Sequence, residues 1–302
     1  LVGSEMCIRD RIVTQYEMHT VEQLGLLKMD FLGLRNLSIV DRTLELIGSE
    51  SLDIDNLKLD DEKTFKLFAE GKMTGVFQLE SRVAQSTSRS LKPKRFEDIV
   101  ALVALIRPGP LGAGMHNEFA DRANNRKEIE YLHSDLESIL NETYGVILYQ
   151  EQVMQIAEKI AGFNLQEADN LRVAMGKKIP KVMEEQRKKF TDGAVSNNYS
   201  EQFAIELFDQ IAYFAGYGFN KSHSVPYALL AYQTAYLKAN YPAEYIAACL
   251  TAVKRDKDRT AIFLSEARDM GVKVSTPDVN LSSSDFTVND NEILFGLSLI
   301  HI

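Results

Sequence analysis

Between Phe203 and Leu237 the chain carries two helical patterns and one polar junction, and this arrangement constrains the fold more than any other stretch. Phe203, Leu207, Ile211 and Phe214 recur at the spacing of one helix face. Gly216 and Gly218 can take the left-handed conformations that end such a helix. A second apolar run, from Tyr227 to Leu237, starts another, with Pro226 expected in its first turn, where a missing N–H costs little. Asn220, Lys221, Ser222 and His223 stand between the two. A cation, a hydroxyl and the unpaired N–H groups of the next helix would make a cradle for phosphate. The same residues suit an ordinary helical connection with polar turn residues, and local chemistry leaves both readings open.

Helical periodicity extends over most of the chain. It predicts helices at Glu17 to Leu24, Arg35 to Ile47, Asp60 to Gly71, Phe96 to Ile106, Glu151 to Ala161, Leu165 to Met175, Pro180 to Val195 and Glu201 to Phe214. Leu26 to Leu32 reads as a strand, in which Leu27, Met29 and Phe31 alternate with Lys28 and Asp30. Short strands are expected at Val272 to Val274, Phe286 to Val288 and Ile293 to Phe295. The fold class is therefore mainly α, with a short strand and helix segment first and a small β-rich segment near the C-terminus. Ser81 to Ser90 is far more polar than its neighbours, so a helix there is expected to be more exposed, and no site residue is assigned to it.

With 302 residues, 45% hydrophobic and 25% charged, the chain can build a real core. Its longest strongly apolar run, Ile99 to Ile106, is far too short to span a bilayer. Cys7 and Cys249 lie far apart, which argues against a disulfide scaffold or zinc cluster and suits a cytoplasmic setting. A net charge of −9 argues against a nonspecific nucleic-acid coat. It leaves room for a local basic track: Arg172 to Lys189 holds seven Lys/Arg against Glu184 and Glu185, either a backbone-binding surface or a solvated helix face.

Several blocks carry a resemblance. Tyr217-Gly-Phe-Asn-Lys-Ser-His223, Tyr227-Ala228 and Tyr232-Gln-Thr-Ala-Tyr-Leu-Lys238 resemble the fingers domain of the bacterial replicative DNA polymerase III alpha subunits, the C-family polymerases. Further blocks agree in the family's order: Lys28-Met-Asp30-Phe-Leu-Gly-Leu34, Thr74-Gly-Val-Phe-Gln-Leu-Glu80, Arg107-Pro-Gly-Pro-Leu111, and Tyr144 to Met154 with Ala174-Met-Gly-Lys-Lys178. The resemblance implies the end of a palm at 12–35, helical fingers at 36–270, and a β-rich segment at 271–297 leading toward a helix-hairpin-helix region. Leu1 to Arg11 and Ser298 to Ile302 depart from the family pattern and are expected to be foreign tails.

Side chains two apart on a strand share a face, so Lys28 and Asp30 would project together. They could hold phosphate and a divalent metal, or form a surface ion pair. The resemblance makes Asp30 the third catalytic carboxylate and a ligand of Mg2+, of which the full-length enzyme uses two ions, and sends Lys28 to the triphosphate. The other two carboxylates belong to an upstream Asp-x-Asp motif; Asp53-Ile-Asp55 has that spacing but follows Asp30 and reads as a turn. One carboxylate cannot hold two metals, so the fragment alone is expected to be inactive. Arg107, fixed by two prolines and a glycine, suits phosphate or a helix-end carbonyl; the resemblance assigns it to the incoming nucleotide. It assigns Asn220, Lys221, Ser222 and His223 to the same nucleotide, with Ser222 and His223 near the sugar. Lys177 and Lys178 become candidates for template-backbone contact. The polar residues of Tyr149 to Met154 are expected to hydrogen-bond within the fold.

The function so implied is template-directed DNA synthesis by two-metal nucleotidyl transfer. Its partners would be primer-template DNA and incoming dNTPs, with a sliding clamp and other replisome subunits reached through regions outside this chain. The competing reading is a noncatalytic helical nucleic-acid-binding module. A nucleotide hydrolase is excluded, because neither Gly71-Lys-Met-Thr74 nor Gly176-Lys-Lys178 completes Gly-x4-Gly-Lys-Ser/Thr.

Overall fold

The computed structural model describes residues 14–29, 33–48, 52–177, 180–215 and 217–299, with backbone alone at 177, 180, 215 and 299. The chain divides into two units, 1–35 and 36–302. In the first, α1 (Met18–Gln23) is capped by Glu17, whose carboxylate accepts from the N–H groups of His19 and Thr20. A carboxylate there also meets the positive end of the helix dipole. The strand expected from Leu26 is absent over its described part: residues 26–29 have no regular structure, and Leu27 is 85% exposed. Alternation alone does not make a strand, and no strand among the first unit's described residues pairs with it. The rest of that segment, including Asp30, lies outside the described residues.

The second unit is helical. In chain order come α2 (Arg35–Ile47), α3 (Glu62–Glu70), α4 (Arg82–Leu91), α5 (Phe96–Leu105), α6 (Pro108–Gly112), α7 (Met115–Ala123), α8 (Glu137–Leu140), α9 (Gln150–Ala161) and α10 (Leu165–Lys177). Then follow α11 (Pro180–Ser196), α12 (Glu201–Ala215), α13 (Lys221–Asn240), α14 (Pro242–Ala252) and α15 (Lys257–Asp269). Three short strands complete it: β1 (Val274–Ser275), β2 (Thr287–Asn289) and β3 (Glu292–Leu294). They form one sheet in the order β1-β3-β2, with β1 parallel and β2 antiparallel to β3. Among the described residues no helix is long and apolar enough to cross a membrane.

Among the described residues, three apolar clusters hold this unit together. The first joins Phe68 of α3, Leu91 of α4, the apolar run of α5, Phe119 of α7 and one side of α13 (Ala228, Ala231, Tyr232, Ala235). The second lies within α8 to α12, around Ile156, Leu171, Phe190 and Ile211. The third packs α2, α14, α15 and the sheet against the other side of α13 at Leu230 and Leu237. Apolar on both sides, α13 is the shared wall of two cores, as expected for a helix without a single apolar stripe.

Two local readings change. The polar run Ser81 to Ser90 does form a helix: Ser81 caps α4, Ala84 and Ser88 are fully buried, and Ser88 Oγ donates to the Phe68 carbonyl at 2.7 Å. Buried hydroxyls with backbone partners replace the apolar stripe that the pattern lacks. Pro226 sits inside α13 rather than in its first turn, because the helix starts at Lys221. Its missing N–H takes the helical donor from the Ser222 carbonyl.

Candidate functional site

The junction before α13 is shorter than the sequence suggested. Asn220 is the N-cap, its Oδ1 accepting from the His223 N–H at 2.8 Å, so Lys221, Ser222 and His223 form the first helical turn. Ser224, buried, ties that turn to α5 by donating to the Val100 carbonyl at 2.7 Å. The preceding loop pairs with the entry to α9. Phe219 N–H donates to Leu148 O at 3.1 Å and Gln150 N–H to Phe219 O at 2.9 Å, a parallel bridge between Tyr149 and Phe219.

That entry is itself held by Gln152, which is 1% exposed and fully engaged. Its Oε1 accepts from the N–H groups of Leu148 and Tyr149 at 2.9 and 3.0 Å, and its Nε2 donates to Ile139 O and Thr143 Oγ1 at 3.2 and 2.8 Å. The expectation that this block's polar residues bond internally holds, and a buried amide costs little once all its partners are present.

Arg107 reaches the same loop from the start of α6. Its Nε donates to Ala104 O at 3.0 Å and its Nη2 to Tyr217 O at 2.6 Å, and its guanidinium carbon lies 4.3 Å from the centre of the Phe219 ring. Of the two alternatives its sequence position offered, the carbonyl cap is present. Gly109 makes room for this contact: a Cβ there would lie 2.2 Å from Tyr217 Cδ1. Burial pulls the Arg107 pKa down, and among the described residues no carboxylate pairs with it. Phe219 also meets the exposed His223 ring, edge to face at 5.4 Å, and that ring lies 4.3 Å from Tyr227.

Lys221 is enclosed by two carboxylates that the sequence did not single out. Its N–H donates to both oxygens of Glu151 at 3.0 Å, and its Nζ lies 2.6 Å from Glu142 Oε2 and 5.5 Å from the Tyr149 ring centre. The backbone of Glu142 is anchored in turn, Arg95 Nη2 donating to its carbonyl at 2.7 Å. The only available signal was the position of Glu151 inside the Tyr149 to Met154 block, where it was grouped with structural residues.

Arg107, Asn220, Lys221, Ser222 and His223 are thus brought to one loop and one helix end. Lys28 belongs to the first unit, where it is exposed. Asp30 and Lys178 lie outside the described residues, and Lys177 closes α10 with its side chain undescribed. Of the basic track, Arg172 pairs with Asp169 at 2.8 Å, Arg187 with Asp209 at 2.7 Å and Lys189 with Glu167 at 2.8 Å. Asp53-Ile-Asp55 is a turn, Asp53 accepting from the Asp55 N–H and the Asn56 side chain. Among the described residues no group of three or more His, Cys, Asp or Glu could hold a metal. A cleft of about 890 Å³, lined by residues such as Leu136, Ile205 and Tyr213, contains none of the candidates.

Comparison with known proteins gives one family: residues 36–198 match the bacterial DNA polymerase III alpha subunit finger domain. The chain is 48% identical over 296 residues to a DNA polymerase III subunit alpha of Saccharopolyspora erythraea, covering 96% of this chain and 25% of that one. It is 50% identical over 299 residues to the Thermus aquaticus protein of that name, covering 96% and 24%. Against the Escherichia coli K12 protein of the same name the identity is 47% over 301 residues, covering 95% and 26%. The chain spans about a quarter of the length of each of these relatives.

Proposed function

Since the chain belongs to the bacterial DNA polymerase III alpha subunit finger-domain family, we propose that it is the nucleotide-binding part of a replicative DNA-directed DNA polymerase. Residues 36–270 serve as fingers and 12–35 as the end of the palm, in a cytoplasmic enzyme acting on primer-template DNA. The observation that carries this reading is Arg107: a half-buried guanidinium, held by two carbonyls against Phe219, with no carboxylate partner among the described residues. A buried cation without a counter-charge is costly, and an anionic ligand would relieve that cost. A dNTP triphosphate supplies the anion. Phe219 and His223 then flank the ligand, and the bulk of His223 beside the sugar disfavours a 2′-hydroxyl.

Lys28 adds a second cation for the triphosphate, and Asp30 supplies one carboxylate toward Mg2+. The described residues do not themselves form a metal site, so their part is to bind and orient. Lys177 and Lys178 serve the template backbone, a role that carries no sequence information. Three cations of the track are already paired with carboxylates. This weakens the alternative of a noncatalytic module that binds nucleic acid mainly through that face.

The test is Arg107→Ala in the full-length polymerase. Loss of a charge-assisted contact should lower kcat/KM for dNTPs by about ten- to a hundredfold. Affinity for primer-template should hold, since the loss concerns the nucleotide. Unchanged kcat/KM with a lowered melting temperature would make Arg107 a structural cap and overturn the reading.

A further inference from the structure

The positive groups of this site are unequally matched. Arg107 has no carboxylate partner among the described residues, whereas Lys221 has two, one at each end of the residue. Glu151 spans the Lys221 N–H with both oxygens at 3.0 Å, the position an anion's oxygens take at the start of a helix. Glu142 Oε2 lies 2.6 Å from Lys221 Nζ, and Arg95 Nη2 donates to the Glu142 backbone carbonyl. Both carboxylates come from the α8 to α9 side of the fold, while Lys221 opens α13.

We propose that Glu142 and Glu151 are positioning residues that act as resident counter-anions: they neutralise Lys221 and the first amide of α13 until a polyphosphate displaces them. The proposal rests on the nucleotide reading above and adds a specificity function to it. A ligand with little charge gains nothing by replacing a carboxylate that is already in place. A triphosphate carries enough charge to take both Lys221 and Arg107 at once, and repays the exchange. The pair therefore suppresses binding of orthophosphate more than binding of polyphosphate chains, and the two glutamates swing from ligand substitutes to bystanders when the chain binds.

The experiment uses the 302-residue protein, with inorganic tripolyphosphate and orthophosphate as probes in calorimetry and in amide NMR. Glu151→Gln and Glu142→Gln each keep a side-chain acceptor while removing the charge. Each is expected to bind tripolyphosphate about three- to tenfold tighter than the parent protein, and to gain more for orthophosphate, so that selectivity narrows. Glu128→Gln, an exposed site with the same charge change, should match the parent. In the parent, added tripolyphosphate should shift the Lys221 amide resonance. A purely structural Glu151 would change the melting temperature and leave affinity and selectivity where they were. Equal affinities in parent and both variants, or a Lys221 amide unmoved by bound tripolyphosphate, would overturn the proposal and leave the nucleotide reading standing. Absence of binding in all of them would overturn both.

Discussion

Lys238 shows how far a single residue can bind distant parts of this chain. It is 1% exposed, and its Nζ donates to Lys72 O at 2.6 Å, Thr74 O at 2.9 Å and Glu266 Oε1 at 2.6 Å. All three ammonium donors are used. Burial pulls its pKa below that of ordinary lysine, with Glu266 pulling the other way. Lys238→Met would leave the Glu266 carboxylate, itself 14% exposed, without its partner. A loss of about 3–5 kcal/mol is expected in urea unfolding, with partial recovery in the double variant that adds Glu266→Gln. A loss below about 1 kcal/mol, the scale of an exposed pair, would show that water replaces the amine. Single residues of this kind are the hardest to read from sequence. Lys238 stands in one of the family-like blocks, yet nothing local says that its partners lie on the loop after α3 and on α15. Gln152 was legible because three polar residues precede an apolar helix face; Glu151 was not, because its partner is an amide about seventy residues away.

Among the elements, helices with an apolar face and a clear stop were legible to within a residue or two. The α3 helix ends at Gly71, in the left-handed conformation, and starts after Asp61. Asp61 Oδ2 accepts from Thr64 N–H at 2.8 Å, Thr64 Oγ1 at 2.7 Å and Asn240 Nδ2 at 3.2 Å, joining the start of α3 to the end of α13. Burial works to raise its pKa, but the hydrogen bonds from Thr64 and Asn240 prevail and hold it below 3.8. A carboxyl depressed on folding stabilises above its unfolded pKa, and that contribution is lost as pH falls through the folded value. Asp61→Ala should therefore cost about 0.5–2 kcal/mol at neutral pH, and its deficit should shrink below pH 3.8. A deficit constant down to the acid limit would assign the cost to geometry instead of charge. Elements defined by tertiary partners escaped the pattern. The α4 helix uses buried hydroxyls in place of an apolar stripe, and residues 26–29 alternate without a strand to pair with among the first unit's described residues. The start of α13 was misplaced because Pro226 looked like a first-turn proline, whereas the helix extends past it to the Asn220 cap.

At the scale of the molecule, the mainly helical class and the small sheet near the C-terminus followed from periodicity and turn residues, but the division into three cores among the described residues did not. It depends on which side of α13 each helix meets, and α13 has no polar side to mark it. The second core, around Phe190, shares no wall with α13 and should open separately. Phe190→Ala, at a fully buried site, should destabilise by about 3–5 kcal/mol. Hydrogen exchange should quicken across α9 to α12 while the amides around Ala231 and Ala235 keep their rates. Equal acceleration in α13 would mean that the three cores unfold as one. The length of α13 has a mechanical consequence of its own. Twenty residues make a rod about 30 Å long, and a rotation of about 5° around one end sweeps the other through about 3 Å. One end is pinned by Lys238, and the other carries Asn220 to His223. With Lys238 holding one end and Ser224 and Lys221 holding the other, the helix is tethered at both ends, so a shift of the first turn by the length of one ligand contact would be carried along the rod as a small rotation at the lysine.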